Sequence, residues 1–333
     1  MAERRIAFLS MHTSPLARLG GREAGGMNVY VRELARRLAA AGFPVDVFTR
    51  RTDPAQPETV ALAPGARVVH VAAGPAEPLE KGALPPYAAA FAEGVAAWAE
   101  GHGLAYAAVH SHYWISGLAG RSLARRWDVP HVVMFHTLGE VKNRARATEH
   151  EPNSRIRAEA LLAAEADRIV CAHADERDLL ARYYGADPAR VAVAPLGVDL
   201  GRFRPLDRPA ARRALGLPAG GRVVLFVGRI EPLKGIDVLL HAVARLEDRE
   251  EVTTLVVGGD ERSEPELHHL RELARALEIA PRVRFEGPVE HERLPRYYNA
   301  ADVCVVPSYY ESFGLVAVEA MACGTPVVAS RVG

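Results

Sequence analysis

The sequence predicts an α/β protein made of two doubly wound domains, and three observations lead to that fold class. Short runs rich in Val, Ile and Phe recur about every 25 to 40 residues. Stretches of Ala, Leu, Arg and Glu with helical period separate these runs, which is the order typical of parallel strand–helix–strand units. A segment rich in Pro and Gly, 195–205, interrupts the order, and the domain junction is expected there.

The first domain is expected to span 1–200. Its strands are predicted where β-branched and aromatic residues cluster, and its helices where apolar residues recur with a period near 3.6. The predicted strands are 6–11, 44–49, 67–71, 108–111, 131–135, 168–171 and 191–194, and the predicted helices are 28–41, 86–102, 115–126, 153–164 and 174–184.

The second domain is expected to span 201–333 and repeats the pattern. The predicted strands are 222–228, 253–258, 283–286, 303–306 and 327–330, and the predicted helices are 210–215, 235–246, 264–278, 294–298 and 315–323. A parallel strand normally has helices on both of its faces, but the sequence ends directly after an apolar strand. We therefore expect the natural chain to continue and this second domain to be incomplete. Two such domains would face each other across a cleft at the carboxyl ends of their strands.

The composition excludes several classes of partner. Lys and Arg together number 41, as do Asp and Glu, so the chain lacks the strong positive field that nucleic acid or an anionic membrane would require. The first apolar run is shorter than a secretory core and lacks a cleavage pattern, so we expect a strand there and not a leader. We also expect no membrane span, because no apolar run reaches about 18 residues. Cys171, Cys304 and Cys323 stand singly, without the pattern of a disulfide framework, which favours a reducing cytoplasm.

Several motifs with well-understood chemistry are absent from the sequence. It contains no G-x-G-x-x-G after a strand, no P-loop, no G-x-S-x-G and no H-E-x-x-H. These absences disfavour nicotinamide cofactors, P-loop chemistry, esterase-like acyl transfer and zinc proteolysis. A D-x-D pair is also absent, so we expect neither a resident cofactor nor a metal ion at a substrate diphosphate.

Candidate binding residues in the first domain follow predicted strands. Gly25 and Gly26 precede a helix, where backbone N–H groups could approach a phosphate, although a flexible loop capped by Asn28 would have the same pattern. The sequence 110–114, His-Ser-His-Tyr-Trp, ends one strand, and Phe-His-Thr at 135–137 ends the next. These histidines are compatible with metal binding, with a structural role or with recognition of a polyhydroxylated ligand.

Charged residues supply further candidates, and most of them lie in the second domain. Only three positions are Lys against 38 Arg, so Lys81, Lys142 and Lys234 are candidates for sites that need a compact ammonium group. Arg229 and Lys234 follow a strand and could neutralise a diphosphate. Glu311 and Glu319 stand eight residues apart in an apolar stretch. They either accept hydrogen bonds from sugar hydroxyls or are simply a solvated loop residue and a helix residue.

These second-domain residues resemble the donor site of a known family. Gly228-Arg229 with Lys234-Gly235, and Glu311-Ser-Phe-Gly314 followed by Glu319, are similar to the donor site of the retaining glycosyltransferases of family 4. The resemblance covers essentially the whole chain. The motifs at 25–30, 110–117 and 136–143 resemble the subgroup that contains sucrose-phosphate synthase and the inositol-phosphate N-acetylglucosaminyltransferase of the mycothiol pathway. The resemblance implies the GT-B fold, in which two Rossmann-like domains face each other across a cleft.

The resemblance also implies a role for individual residues. His136, Arg229 and Lys234 would be catalytic, His136 beside the sugar and the two cations on the leaving diphosphate. The nucleotide-sugar donor, expected to be a UDP-sugar, would be bound by Gly25, Gly26, Arg229, Lys234, Glu311, Phe313, Gly314, Leu315 and Glu319. A phosphorylated acceptor would be bound by Asn28, Lys81, Tyr113, Thr137 and Arg157.

The implied reaction moves a hexosyl unit, GlcNAc from UDP-GlcNAc, to a phosphorylated polyol such as inositol phosphate. Glucosyl transfer to fructose 6-phosphate, a sugar-nucleotide epimerase and a non-catalytic nucleotide-sugar binder are the alternatives. The chain is expected to be cytoplasmic and a candidate homodimer, with a nucleotide sugar and a phosphorylated small molecule as partners.

Overall fold

The computed structural model describes residues 5–17, 25–145, 150–247, 251–260 and 263–332. The chain divides into two compact units, with the main boundary between Pro195 and Leu196. The junction expected at residue 200 lies a few residues later. Among the described residues, no helix is both long enough and apolar enough to cross a membrane.

Within the described residues, the first unit contains an eight-stranded sheet and six α-helices. The strands are β1 (Arg5–Leu9), β2 (Val45–Arg50), β3 (Thr59–Ala63), β4 (Ala66–Val71), β5 (Tyr106–His112), β6 (His131–Met134), β7 (Arg168–Cys171) and β8 (Val191–Val193). The helices are α1 (Gly26–Ala40), α2 (Ala88–Gly101), α3 (Trp114–Trp127), α4 (Gly139–Ala145), α5 (Asn153–Glu165) and α6 (Ala174–Tyr184).

The first sheet has the order β3-β4-β2-β1-β5-β6-β7-β8. Its strands pair in parallel except β3, which is antiparallel to β4. From β1 the chain builds outward in one direction through β2 and in the other through β5. In doubly wound sheets, ligands bind beyond the carboxyl ends of the strands at this switch point. The loops after β1 and β5 are therefore the first place to look for a site.

The first unit contains two elements that the sequence analysis did not predict. Strand β3 is a short, half-exposed edge strand, so it lacks the apolar run that identifies a buried parallel strand. Helix α4 consists of seven mostly polar residues, too few for a helical period to be recognised. Its first backbone N–H, at Gly139, donates to the buried carboxylate of Glu159, so a tertiary contact supports it.

Both faces of the first sheet are covered, as a parallel sheet requires. Along β1, Ala7 and Leu9 belong to one apolar cluster, whereas Phe8 belongs to the cluster on the opposite face. All three side chains are fully buried. Helices α2 and α3 contribute to the first cluster, and Val31 and Ala35 of α1 contribute to the second.

The second unit is smaller and repeats this plan. Its strands are β9 (Arg222–Val227), β10 (Val252–Val257), β11 (Val283–Gly287), β12 (Val303–Val306) and β13 (Val327–Ala329). Its helices are α7 (Arg208–Ala214), α8 (Ile236–Ala244), α9 (Glu264–Ala276), α10 (Leu294–Ala300) and α11 (Leu315–Ala322). All strands are parallel, in the order β11-β10-β9-β12-β13, so the switch point lies between β9 and β12.

Gly228 and Gly258, at the carboxyl ends of β9 and β10, determine how closely the loops after these strands approach each other. Gly258 has φ of +132°, which side-chain-bearing residues rarely adopt. A Cβ at this position would lie 1.8 Å from the backbone oxygen of Gly228. Only glycine therefore permits the contact that fixes the chain at the start of the loop carrying Arg229.

Replacing Gly258 with Ala should destabilise the second unit by about 3 kcal/mol or more, because the methyl group would collide with backbone that cannot rotate away. The three tryptophans, Trp98, Trp114 and Trp127, all belong to the first unit. In urea unfolding followed by circular dichroism, the variant should show a transition at lower urea concentration. The transition detected by tryptophan fluorescence should stay at the same urea concentration. The control is Gly220→Ala, at an exposed glycine of the second unit with nothing within 4 Å of the added Cβ. Equal stability of the two variants would contradict the argument.

Candidate active site

The loops that follow β5 and β6 hold two residues in strained backbone conformations. Tyr113 has φ of +76° and His136 has φ of +62°. Positive φ is uncommon in residues other than glycine and persists where the surrounding structure imposes it. The Tyr113 N–H donates to the oxygen of Met134, the last residue of β6, at 2.8 Å. The two strand ends are thereby joined where the sequence predicted a ligand site.

His136 belongs to a cluster of neighbouring histidines. His112 Nδ1 and His136 Nε2 are 3.1 Å apart, and the rings of His110 and His112 are 4.3 Å apart. Burial, with a smaller contribution from His131, lowers the pKa of His110 to about 3. Burial and the neighbouring His110 lower the pKa of His136 to about 3. His136 is therefore neutral at physiological pH and offers a substrate one nitrogen that donates or accepts.

Two cationic groups lie over the ring of Tyr113. Lys81 Nζ is 5.5 Å from the ring centroid, and Arg155 Cζ is 4.9 Å from it. Tyr113 is 4% exposed, and burial raises the pKa of its hydroxyl to about 12, so the phenol remains a hydrogen-bond donor. An ammonium group and a phenol close together suit an oxyanion such as phosphate.

Arg155 was not selected by the sequence analysis, but it organises this part of the first unit. Its guanidinium is 1% exposed and donates to the backbone and side-chain oxygens of Thr137, at 2.9 and 3.0 Å. It pairs with Glu151 at 2.9 Å and with Glu159 at 2.7 Å. Arg155 and Glu159 lie four residues apart on α5, and Glu151 lies four residues before Arg155, just ahead of the helix. This spacing was the signal in the sequence that could have identified them.

The predicted acceptor residues Asn28 and Arg157 have different surroundings. Asn28 lies within the first turn of α1, not at its cap, and its side-chain amide donates to Thr13 Oγ1 and to the Ser14 oxygen, both at 2.7 Å. The capping interpretation of Asn28 was therefore wrong. Arg157 is exposed on α5, on another side of the helix from Arg155. Gly25 directly precedes α1, and Gly26 is its first residue; the glycines at 20 and 21 lie outside the described residues.

The second unit brings Lys234 and Glu311 together. Lys234 Nζ donates to Glu311 Oε2 at 2.7 Å. The backbone forces this proximity, because Gly235, with φ of +65°, has its α-carbon so close to Pro307 that a Cβ would lie 2.1 Å from the Pro307 oxygen. The turn before α8 and the loop after β12 are therefore held together at the switch point of the second sheet.

Arg229 and the start of α11 complete the predicted donor residues of the second unit. Arg229 pairs with Glu231 at 2.9 Å and directly follows the carboxyl end of β9. Gly314, with φ of +78°, is the N-cap residue of α11, and Phe313 and Leu315 beside it are half-buried. The N–H groups of a first helical turn have no partner within the helix and carry partial positive charge, which suits a phosphate or a hydroxyl oxygen.

Glu319 is a buried residue of the second unit. It is 5% exposed on α11. Its Oε1 is 2.8 Å from His291 Nε2, and its Oε2 accepts a hydrogen bond from the Tyr298 hydroxyl at 2.7 Å. The sequence analysis missed both partners, because neither belongs to a recognisable motif.

Metal binding by the histidines was left open by the sequence. Among the described residues, no group of three or more His, Cys, Asp or Glu side chains is arranged to hold a metal ion.

Comparison with known families identifies the chain. The model of the family "Glycosyltransferase Family 4" matches residues 24–202, which is more than half of the chain, and that of "Glycosyl transferases group 1" matches residues 207–333. The chain belongs to glycosyltransferase family 4. As a member of this family it is a hexosyltransferase, and the resemblance to GT-B family 4 that the motifs indicated is confirmed.

Similar proteins carry more specific names. A protein named D-inositol 3-phosphate glycosyltransferase 2 from Catenulispora acidiphila is 52% identical, and the match covers 99% of this chain and 79% of that protein. A D-inositol 3-phosphate glycosyltransferase from Thermobifida fusca is 50% identical, with 99% and 78% covered. The family 4 chain is thus similar over nearly its whole length to proteins that bear this name.

Solved structures confirm the predicted fold class. A sucrose-phosphate synthase from Thermosynechococcus elongatus matches with a TM-score of 0.92 and 38% identity, over 99% of this chain and 82% of that one. The Anabaena protein HepE, in complex with UDP and glucose, matches with a TM-score of 0.75 and 22% identity, over 99% and 81%. The similarity to HepE, at 22% identity, shows only that the fold is shared.

The stability of the first unit should fall as the pH is lowered from 7 to 5. Burial lowers the pKa of His110 and His136 to about 3 and that of His131 to about 4, below the 6.5 of an unfolded chain. Between these values the unfolded state binds more protons, so acid favours unfolding. Each histidine should contribute up to about 2 kcal/mol of the loss.

Urea unfolding monitored by tryptophan fluorescence at several pH values measures this dependence. His110→Phe should have a smaller pH slope than the unsubstituted protein, because one of the titrating groups is gone. His150→Asn, at an exposed histidine of the same unit, should keep the original slope. A stability that does not change between pH 7 and pH 5 would contradict burial of neutral histidines.

Proposed function

We propose that this family 4 glycosyltransferase transfers GlcNAc from UDP-GlcNAc to a hydroxyl group of an inositol phosphate, with retention of the anomeric configuration. The observation that carries the proposal is the placement of Lys81 against Tyr113, next to Arg155 and Thr137, in a family member about half identical to D-inositol 3-phosphate glycosyltransferases. Such a site suits a small acceptor that carries a phosphate group.

The acceptor side of the proposal depends on charge balance. Arg155 is already neutralised by Glu151 and Glu159 and holds Thr137 in place. Lys81 lies over the same aromatic ring, with its Nζ 5.5 Å from the ring centroid. We infer that Lys81, together with the exposed Arg157, supplies the charge for the acceptor phosphate, and that the Tyr113 and Thr137 hydroxyls donate hydrogen bonds to it. Asn28 would contact the acceptor ring.

The donor side depends on Arg229 and Lys234. Arg229 pairs with Glu231, and Lys234 pairs with Glu311. When a diphosphate binds, both cations gain a doubly charged partner, and Glu311 becomes available for hydroxyl groups of the transferred sugar. Charge accumulates on the diphosphate as its bond to the sugar breaks, so cations fixed there stabilise the transition state more than the ground state.

In the proposed reaction, the acceptor hydroxyl oxygen forms a bond to the anomeric carbon on the face from which the diphosphate departs. The bond from that carbon to the diphosphate oxygen breaks, and the acceptor proton moves to the departing diphosphate. UDP and the glycosylated inositol phosphate are the products. His136, being neutral, would hydrogen-bond the sugar. In this scheme the two cations neutralise the diphosphate, and the proposal includes no resident cofactor.

A second candidate is glucosyl transfer to fructose 6-phosphate. It is favoured by the 38% identity and the TM-score of 0.92 to a sucrose-phosphate synthase. Its acceptor is also a phosphorylated polyol, so the phosphate-binding residues alone do not distinguish the two reactions. The higher identity to the inositol phosphate enzymes makes the first candidate the stronger one.

A matrix of donors and acceptors tests the proposal. UDP-GlcNAc, UDP-glucose and GDP-mannose are each incubated with inositol 3-phosphate and with fructose 6-phosphate, and products are detected by mass spectrometry. The proposal expects the fastest transfer with UDP-GlcNAc and inositol 3-phosphate. Faster transfer from UDP-glucose to fructose 6-phosphate would establish the second candidate. Formation of an epimer from UDP-GlcNAc alone would indicate an epimerase, and binding of UDP without any transfer would indicate a binding protein.

Lys81→Ala should raise the KM for inositol 3-phosphate far more than the KM for UDP-GlcNAc, because the lost charge faces only the acceptor phosphate. Steady-state kinetics with each substrate varied in turn measures the two effects. Arg126→Ala, at an exposed arginine of the first unit, serves as the control and should leave both constants unchanged. Similar increases in both KM values would remove Lys81 from the acceptor site.

Lys234→Ala should lower kcat by roughly 30- to 1000-fold, which corresponds to about 2 to 4 kcal/mol of lost transition-state stabilisation. The matched control, Arg213→Ala, removes an exposed cation from the same unit. Circular dichroism confirms folding of both variants. If Lys234→Ala changed only the donor KM, the lysine would contribute to binding of the ground state and not to catalysis.

A further inference from the structure

A chain of buried hydrogen bonds lies behind the Glu319 carboxylate. His291 is 5% exposed and Tyr298 is fully buried, and each contacts a different oxygen of Glu319. On the far side of the imidazole ring, Arg202 Nη1 lies 2.8 Å from His291 Nδ1. Phe203 packs against the same ring with centroids 5.0 Å apart. Two residues of the second unit thus contact the carboxylate, and two more contact the His291 ring.

The direction of each hydrogen bond follows from elementary chemistry. A guanidinium group has only N–H donors, so the contact with Arg202 requires His291 Nδ1 to be the acceptor. The single proton of a neutral imidazole must then be on Nε2, where it is donated to Glu319. The bonds therefore run from Arg202 to His291 and from His291 to Glu319.

Tyr298 is fixed as a donor in the same way. Burial and the nearby charge of Glu319 raise the pKa of its hydroxyl well above the ordinary value, so the phenol keeps its proton. Each Glu319 oxygen thus accepts one hydrogen bond from the protein, although a carboxylate oxygen can accept two. One acceptor position remains at each oxygen, and two neighbouring hydroxyl groups are a matching ligand.

We propose that His291 and Tyr298 are positioning residues for the ribose of the donor nucleotide. They hold the Glu319 carboxylate in one orientation, so that its two remaining acceptor positions are aligned with the 2′- and 3′-hydroxyl groups. Arg202 contributes by selecting the His291 tautomer that donates to Glu319. This inference rests on the proposed function, in which the donor is a nucleotide sugar, and it assigns Glu319, one of the predicted donor residues, to the ribose of that donor.

The test compares nucleotides with and without the two hydroxyl groups. Isothermal titration calorimetry measures the Kd of UDP and of 2′,3′-dideoxy-UDP for each variant. The unsubstituted protein should prefer UDP, and Glu319→Gln should lose that preference. His291→Leu should weaken UDP binding by about tenfold and leave dideoxy-UDP binding unchanged, because the carboxylate is present but no longer oriented.

Conservative replacements separate positioning from bulk structure. His291→Gln should recover most of the preference, since the Gln amide can donate to Glu319 and its oxygen can accept from Arg202. Tyr298→Phe removes a single hydroxyl group and should reduce the preference even if His291→Leu fails to fold. His241→Leu, at an exposed histidine of the same unit, is the control and should bind both nucleotides as the unsubstituted protein does.

The outcomes distinguish this inference from the proposed function. If the unsubstituted protein bound UDP and dideoxy-UDP equally, Glu319 would have no role at the ribose. The assignment of Glu319 to the ribose and the positioning role of His291 and Tyr298 would then both fail. If Glu319→Gln lost the preference but the His291 and Tyr298 variants kept it, only the positioning role would be refuted. Equal weakening of both nucleotides in His291→Leu and Tyr298→Phe would indicate a structural role and would also refute it.

Discussion

Each sheet of this protein builds outward in two directions from one strand, and the candidate site residues depend on that constraint. Helices that follow β1 and β5 pack on opposite faces of the first sheet, so the loops at the carboxyl ends of these strands diverge and leave space for a ligand. The same divergence occurs after β9 and β12 in the second sheet. Tyr113 follows β5, and Arg229 and Glu311 follow β9 and β12, so the topology delivers these residues to the two switch points.

Three buried carboxylates share one arrangement of hydrogen bonds. Asp46, Glu159 and Glu319 are buried, and each accepts a hydrogen bond from a tyrosine hydroxyl, at 2.7, 2.6 and 2.7 Å. In each case burial and the neighbouring carboxylate raise the pKa of the tyrosine, so the hydroxyl remains a donor. Arginine completes the first two sets, whereas histidine completes the third. A buried charge that is satisfied in this way is rigid, which suits a group that must be aligned with a ligand.

Periodicity in the sequence predicted the strands and helices well because most of them bury a continuous apolar face. The ranges 168–171 and 303–306 coincide with β7 and β12, and both are runs of apolar residues within parallel sheets. Strand β3 and helix α4 were missed because each is short and depends on tertiary contacts. Lys234 and Glu311, which a motif singled out in the sequence, lie in hydrogen-bond contact in the structure. Arg155, His291 and Tyr298 could not be predicted in this way, because their importance arises only when distant segments meet.

The properties of an ammonium group explain why position 234 is Lys in a chain whose cations are mostly Arg. Arginine dominates the cations of this chain, and a planar guanidinium binds a carboxylate through two parallel hydrogen bonds that are lost together. Lys234 makes one hydrogen bond to Glu311 through a compact, rotatable ammonium group. Such a group can turn from the carboxylate to a phosphate oxygen without dismantling a two-point contact. An arginine at this position would hold Glu311 more firmly and oppose the exchange of partners that we propose for donor binding.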